Sequence, residues 1–82
     1  MVTAEQVRQY IAAGLSCTHL EVEGDGHHFY AIVVSEEFAD KRLVERHRMI
    51  KEVLGTRIQS NEIHALSIQK ALTPAEWEKL QG

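Results

Sequence analysis

The segment over residues 28–34 constrains the fold of this chain more than any other stretch. It reads His-Phe-Tyr-Ala-Ile-Val-Val, so every residue after the histidine is apolar or aromatic. At the two-residue period of a β-strand these side chains fall on both faces, with Phe29, Ala31 and Val33 on one and Tyr30, Ile32 and Val34 on the other. A strand that is apolar on both faces is usually central in its sheet. The sequence therefore predicts a sheet with this segment in its middle.

Two further segments predict the neighbouring strands. Leu20 and Val22 alternate with polar residues, and the turn sequence Gly24-Asp25-Gly26 joins them to the central segment. This pattern predicts an antiparallel hairpin whose first strand has one wet face. A third strand is predicted over residues 63–68. Because it follows a helical crossover, it should run parallel to the central strand, with a right-handed connection.

Helical signals occupy the remaining segments. Thr3 and Gln6 form a capping box for a helix over residues 4–13 that stops at Gly14. One helical turn is expected between Ser35 and Asp40. The main helix ends at Gly55 and has an apolar stripe made of Leu43, Val44, His47, Ile50, Val53 and Leu54. Thr73-Pro74-Ala75-Glu76 begins a last short helix.

Together these elements predict an α+β fold of the order α-β-β-α-α-β-α. The expected architecture is a two-layer sandwich, in which one face of a three-stranded mixed sheet packs the helices. A chain of 82 residues makes one small domain, residues 1–82, that is too small for a large catalytic cleft. Its single cysteine, Cys17, excludes an internal disulfide and a multi-cysteine zinc module. We see no bilayer-length apolar run and no signal peptide, so we expect a cytoplasmic domain without membrane contact.

The charge is unevenly distributed along the chain. The segment from Lys41 to Arg57 carries six basic and two acidic residues, a balance of +4. The rest carries three basic and ten acidic residues, a balance of −7, and the total is −3. This asymmetry, an acidic body with one basic segment, matters more for the choice of partner than the total charge does.

Four motifs in combination resemble the BolA family, and within it the short acid-stress branch, IbaG. The resemblance covers about residues 3–77 and rests on Val34-Ser35-x-x-Phe38, Arg46-His47-Arg48, Ile63-His64-Ala65-Leu66 and Leu72-Thr73-Pro74. It implies a fold like the class II KH domain and no enzyme activity. It also implies two activities of different classes. One is partnership with a monothiol glutaredoxin around a shared two-iron two-sulfur cluster, and the other is DNA binding with transcriptional regulation.

The chain departs from this family at one position. Family members usually show Phe-x-Gly-Lys after the second strand, whereas this sequence has Phe38-Ala39-Asp40-Lys41. It also lacks the GXXG loop with which true KH domains clamp a nucleotide backbone. Both differences weaken an analogy with nucleic-acid binding by KH proteins.

The resemblance implies that His64 ligates the shared cluster and that His27 or His28 supplies a second ligand. From the residues alone, a structural histidine is the simpler interpretation of His64, and two solvated turn histidines explain His27 and His28 equally well. Adjacent strand residues point to opposite faces, so only one of the pair can share a ligand with His64, and we favour His28. Such a cluster takes four ligands, so the resemblance assigns the rest to a glutaredoxin cysteine and glutathione. We expect no cluster in the isolated chain, and we place Cys17 outside the site.

The basic segment is the second candidate site. Its cationic residues could contact the phosphates of double-stranded DNA, steer an acidic protein, or simply form a solvated face, and they are Lys41, Arg42, Arg46, Arg48 and Lys51. We favour a partner-protein surface over a DNA surface because no directed base contacts can be identified. His47 is interpreted as a core-edge residue and His19 as solvated. Whether the chain forms a homodimer stays open.

Overall fold

A computed structural model describes residues 2–55, 63 and 65–82 of the chain. Its helices are α1 (Ala4–Gly14), α2 (Leu43–Leu54) and α3 (Pro74–Gln81), and its strands are β1 (Cys17–Gly24), β2 (His28–Ser35) and β3 (Ala65–Leu72). A single 3-10 turn, Glu36–Phe38, stands where one helical turn was predicted. This order confirms the predicted α+β class. No helix among the described residues is both long and apolar enough to cross a bilayer.

The sheet has the order β1-β2-β3, so the predicted central strand is central. β1 pairs with β2 antiparallel, and β3 pairs with β2 in parallel, as the hairpin and the crossover predicted. Phe29, Ala31 and Val33 of β2 are completely buried against α1 and α2. The resulting mixed three-stranded sheet is compatible with the KH-like fold, which stays a prediction.

β3 begins and ends later than the sequence pattern indicated. The predicted strand covered residues 63–68, whereas Ile63 is buried outside the observed strand, Ala65–Leu72. In the ladder Ala31 pairs with Ile68 and Ile32 pairs with Lys70, so Gln69 is an extra residue in a β-bulge. The bulge keeps Lys70 off the core face and returns Ala71 to the core, which strict alternation could not reveal.

α1 and α2 cover one face of the sheet and pack closely against each other. A Cβ atom at Gly14 would lie 2.6 Å from Cγ1 of Val53, so the last residue of α1 must be small for α2 to approach. Val7 and Ile11 of α1 and Ile50 and Leu54 of α2 complete the core. α2 ends at Gly55, as predicted, with a φ of 48°.

The apolar stripe of α2 reaches the core only in its later turns. Leu43 and Val44 were predicted to be part of that stripe but are 59% and 58% exposed. The first turn of α2 lies beside β3 and α3, where Leu43 and His47 line an open groove instead of the core. Met49, which was not part of the predicted apolar stripe, packs partly against the core.

α3 lies on the second face of the sheet, which differs from the expectation that one face packs all the helices. His19 and Val34 are ladder partners on the face opposite Phe29. Trp77 of α3 stacks on His19, with 4.7 Å between ring centroids, and Val34 is completely buried. His19 was predicted to be solvated. It is half-buried instead because α3 folds over this end of the sheet.

Candidate functional site

The part of the second sheet face that surrounds His28 and Tyr30 forms a polar surface, which we call the open face. The ladder registers place Tyr30 beside Glu23 of β1 and Ser67 of β3, and His28 beside Ala65. Tyr30 is 42% exposed, so a partner can reach this surface directly.

His28 is held in a defined orientation on the open face. Its Nε2 lies 2.9 Å from Oγ of Ser67, and its ring stacks on Tyr30 with centroids 4.6 Å apart. The side chain is half-buried. These two contacts fix the imidazole while leaving part of it accessible, which is the condition that a ligand to a partner-held metal needs.

The hairpin turn before His28 is stabilised by Asp25. Its Oδ1 accepts hydrogen bonds from the backbone N–H groups of His27, at 2.9 Å, and of His28, at 3.0 Å. These bonds lower the pKa of the Asp25 carboxyl because they favour its charged form. His27 therefore lies in the turn and is exposed, whereas His28 is the first residue of β2.

The other predicted ligand, His64, lies outside the described residues. Ala65, which follows it in the sequence, is the ladder partner of His28. Across residues 2–55, 63 and 65–82, no three His, Cys, Asp or Glu side chains converge as a metal site.

Cys17 is at the far end of the sheet from His28. It pairs with Ser35, seven residues along β2 from His28, a separation of about 20 Å at the usual rise of a strand. Its side chain is half-buried against the core. Burial, with the negative charge of Glu37, raises the pKa of the Cys17 thiol and disfavours the thiolate that would bind a metal.

Arg46, one of the five predicted cationic site residues, is engaged inside the protein. Its Nε donates to the carbonyl of Lys41 at 2.9 Å, and its Nη1 donates to the carbonyl of Ala71 at 2.9 Å and to Oε1 of Glu76 at 2.7 Å. The Arg46 side chain is only 12% exposed. The hydrogen bond from Arg46 lowers the pKa of Glu76 to about 2.

The other four cationic residues remain on the surface. Lys41, Arg42, Arg48 and Lys51 are all exposed, and Arg42 makes a loose ion pair with Glu45 at 3.5 Å. They form a basic surface on α2 and just before it. This surface lacks Arg46, which the sequence analysis had included.

Asp40 stands where this chain departs from the family pattern, and its φ is 64°. Glycine adopts this left-handed conformation without strain, and aspartate is among the few other residues that tolerate it. Aspartate at this position therefore adopts a backbone conformation that glycine also adopts readily.

Comparison with known proteins settles the family. The family model described as BolA-like protein matches residues 11–76. The chain belongs to the BolA family. It is 49% identical over 82 residues to protein BOLA2 of Arabidopsis thaliana, covering 95% of this chain and 86% of that protein. It is 39% identical over 80 residues to the acid stress protein IbaG of Escherichia coli K12, covering 94% of each.

A solved BolA structure shows the same architecture. The bolA protein homologue from Coxiella burnetii superposes with a TM-score of 0.80 at 42% identity, covering 95% of this chain and 99% of that one. Among the curated relatives, the DNA-binding transcriptional regulator BolA of E. coli K12 is 32% identical over 91 residues, covering 99% of this chain and 85% of that protein. The names of these BolA proteins describe a regulator and a stress protein and no enzyme.

Sequence reasoning missed two contacts that define these surfaces. Ser67 was treated only as a strand residue, although parallel pairing brings it to His28. Arg46 was grouped with the exposed cations because helical spacing cannot show that α3 brings Glu76 to it. The one available signal for the contact with Arg46 was an acidic residue at the third position of the last helix. Glu76 is held there because its side chain also accepts a hydrogen bond from the backbone of Thr73.

Proposed function

We propose that this BolA protein is an adaptor that binds a monothiol glutaredoxin and shares the ligation of a two-iron two-sulfur cluster with it. The proposal assigns His64 and His28 as its ligands, with the remaining ligands from a glutaredoxin cysteine and glutathione. Its role would lie in iron-sulfur or iron homeostasis and in the response to acid stress. The observation that carries it is the oriented, half-exposed imidazole of His28 on the open face.

The contact with Ser67 supports His28 over His27. Metal-bound histidines usually donate their second ring N–H to an oxygen acceptor, which fixes the tautomer and raises ligand basicity. If Nε2 of His28 donates to Oγ of Ser67, Nδ1 keeps the lone pair that binds iron. The ladder also pairs His28 with Ala65, the residue next to His64 in the sequence.

The donor set fits a shared cluster better than a resident one. An iron-sulfur cluster of this type takes four ligands, and imidazole nitrogen suits iron. When bound, the cluster would supply electron-transfer chemistry at a potential that histidine ligation raises. The described residues offer no group of three ligands, so the proposal requires ligands from a second molecule.

The experiment is reconstitution with a monothiol glutaredoxin, glutathione, iron and sulfide, followed by visible absorption and circular dichroism. The mixed complex should give a spectrum different from that of the glutaredoxin alone. His28→Ala and His64→Ala should each return the spectrum toward that of glutaredoxin alone, whereas His27→Ala should leave it unchanged. A mixed spectrum that is insensitive to both His28→Ala and His64→Ala would contradict the ligand assignment.

A second candidate function is DNA binding through α2. It is favoured by the exposed cations and by the similarity to a relative named as a DNA-binding transcriptional regulator. Duplex DNA should be titrated at two salt concentrations, because binding through phosphates weakens steeply with salt. The variants should be Arg48→Ala and Lys51→Ala, whose side chains are exposed. Arg46→Ala would confuse lost binding with lost stability. DNA binding that survives both exposed-residue changes would exclude this surface.

A further inference from the structure

A groove lies along the edge of β3 that faces away from β2. It is separate from the open face. It is bounded by α2, β3 and α3, and its lining includes Leu43, His47, Ile68, Lys70, Leu72 and Leu80. Its volume is about 330 Å³. That is enough for a few side chains of a partner and small for a drug-sized ligand.

The walls of the groove expose unusually apolar side chains. Leu43 of α2 and Leu80 of α3 are each 59% exposed, and both line the groove. In the described part of the chain, four large hydrophobic residues are more than 40% exposed, and two of them line this groove. Clustered exposed leucines with a polar rim mark interaction sites in soluble proteins.

The rim of the groove is positively charged. Lys70 is the only lysine, arginine, aspartate or glutamate among the described lining residues, and Lys51 lies one helical turn beyond His47 on the same face of α2. Arg42 pairs with Glu45 and Arg46 pairs with Glu76, so neither ion pair adds net charge beside these walls. Lys70 therefore gives the groove a positive charge.

Arg46 connects the three elements that form the walls of the groove. One guanidinium joins α2 to the carbonyl of Ala71 in β3 and to Glu76 in α3, which are the three elements that form the walls. Walls fixed in this way lower the ordering cost of binding.

We propose that this groove binds an acidic segment of a partner protein that carries leucine-like side chains. Two features favour it over DNA: most of the lining residues are apolar and gain nothing from a phosphodiester backbone, and Lys70 is the only lysine or arginine among the described lining residues. The leucine-like side chains of such a segment would fill the apolar groove, and its acidic residues would lie against the cationic rim. This proposal does not require a cluster or His28, so it can fail while the proposed function stands.

The test uses two synthetic 12-residue peptides made of leucine and glutamate. One has leucines at the helical spacing i, i+3, i+4 and i+7, and the other alternates them as in a strand. Each is titrated into ¹⁵N-labelled protein, and amide shifts are mapped. At least one peptide should shift residues around Leu43, Lys70 and Leu80 and leave Tyr30 unmoved. A version with lysine in place of glutamate should not bind.

Exposed-residue variants provide the control. Leu43→Ser, Leu80→Ser and Lys70→Glu should each weaken peptide binding by about fivefold or more. Val44→Ser should change it less than about twofold, because Val44 is as exposed as Leu43 but does not line the groove. Circular dichroism melts check that each variant is folded.

Three outcomes would overturn the proposal. The first is that neither peptide binds, or that binding ignores the groove variants. The second is that a 20-base-pair duplex moves the groove residues and the peptides do not, which would assign the surface to DNA. The third is that the protein alone shows concentration-dependent shifts at the groove, which would assign it to a second copy of this chain.

Discussion

Nη1 of Arg46 lies 2.7 Å from Oε1 of Glu76, and this ion pair ties the first turns of α2 and α3 together. Glu76 also caps α3, because its Oε1 accepts from the backbone N–H of Thr73 at 2.8 Å. One carboxylate therefore serves both the helix start and the contact between two helices.

This arrangement predicts a pH dependence of stability. Arg46 and the Thr73 amide lower the pKa of Glu76 to about 2, so its contribution is present above the ordinary pKa of 4.5 and is lost as the pH falls toward 2. Glu76→Gln should cost about 1 kcal/mol at pH 7, since solvent screens a half-exposed carboxylate, and less at pH 2, where a pKa of about 2 leaves the carboxyl half protonated in the folded protein. Urea unfolding at both pH values measures this. Glu78→Gln is the control on the same helix, and an equal cost of Glu76→Gln at both pH values would refute the assignment.

Two arginines that are two residues apart in the sequence motif should behave differently. Arg46→Ala removes hydrogen bonds to two carbonyls and a carboxylate and should lower the free energy of unfolding by about 2 kcal/mol. Arg48→Ala, at an exposed position, should change it by less than about 0.5 kcal/mol. Thermal or denaturant unfolding of the two variants measures both changes. Equal losses in the free energy of unfolding would show that the Arg46 contacts do not contribute to stability.

The turn at Asp40 offers a test of backbone conformation. Asp40→Ala should destabilise the protein by about 1 kcal/mol, because alanine resists a positive φ, whereas Asp40→Gly should not destabilise it. Ala39→Gly is the matched control. Residue 39 has an ordinary φ of −57°, so glycine there should only add flexibility to the unfolded chain and lower stability. If Asp40→Ala proved as stable as Asp40→Gly, the left-handed turn would not form.

Cys17 should react slowly with thiol reagents. Burial and the charge of Glu37 raise its pKa, which leaves less thiolate at neutral pH. Alkylation by iodoacetamide at pH 8 should be slower than that of glutathione and should speed up in denaturant. Glu37→Gln should accelerate it modestly. Alkylation of the native protein as fast as of the denatured one would contradict this account.

Much of the fold followed from local patterns. The apolar run of residues 28–34 identified the central strand, and the capping residues Thr3 and Thr73 located two helix starts. The predictions that were wrong concerned features that depend on residues distant in the sequence. The bulge at Gln69 shifts the phase of β3, and Leu43 is exposed because the first turn of α2 borders the groove beside β3 and α3.

The candidate site divides in the same way. The preference for His28 over His27 came from strand alternation, and the structure places His28 in β2 and His27 in the turn. Its contact with Ser67, 39 residues away, could not be read from either segment, because it depends on the register between β2 and β3. The assignment of both as ligands stays a prediction, and His64 lies outside the described residues.

The most direct test of the shared-cluster account is pulsed electron paramagnetic resonance of the reduced complex with glutaredoxin, using protein labelled with ¹⁵N-histidine. The account predicts strong nitrogen coupling from this chain that His28→Ala reduces and His27→Ala leaves unchanged. Ser67→Ala should preserve the coupling but alter its magnitude, because the second ring nitrogen loses its partner. A cluster without histidine nitrogen coupling, or one whose coupling disappears with His27→Ala instead of His28→Ala, would contradict it.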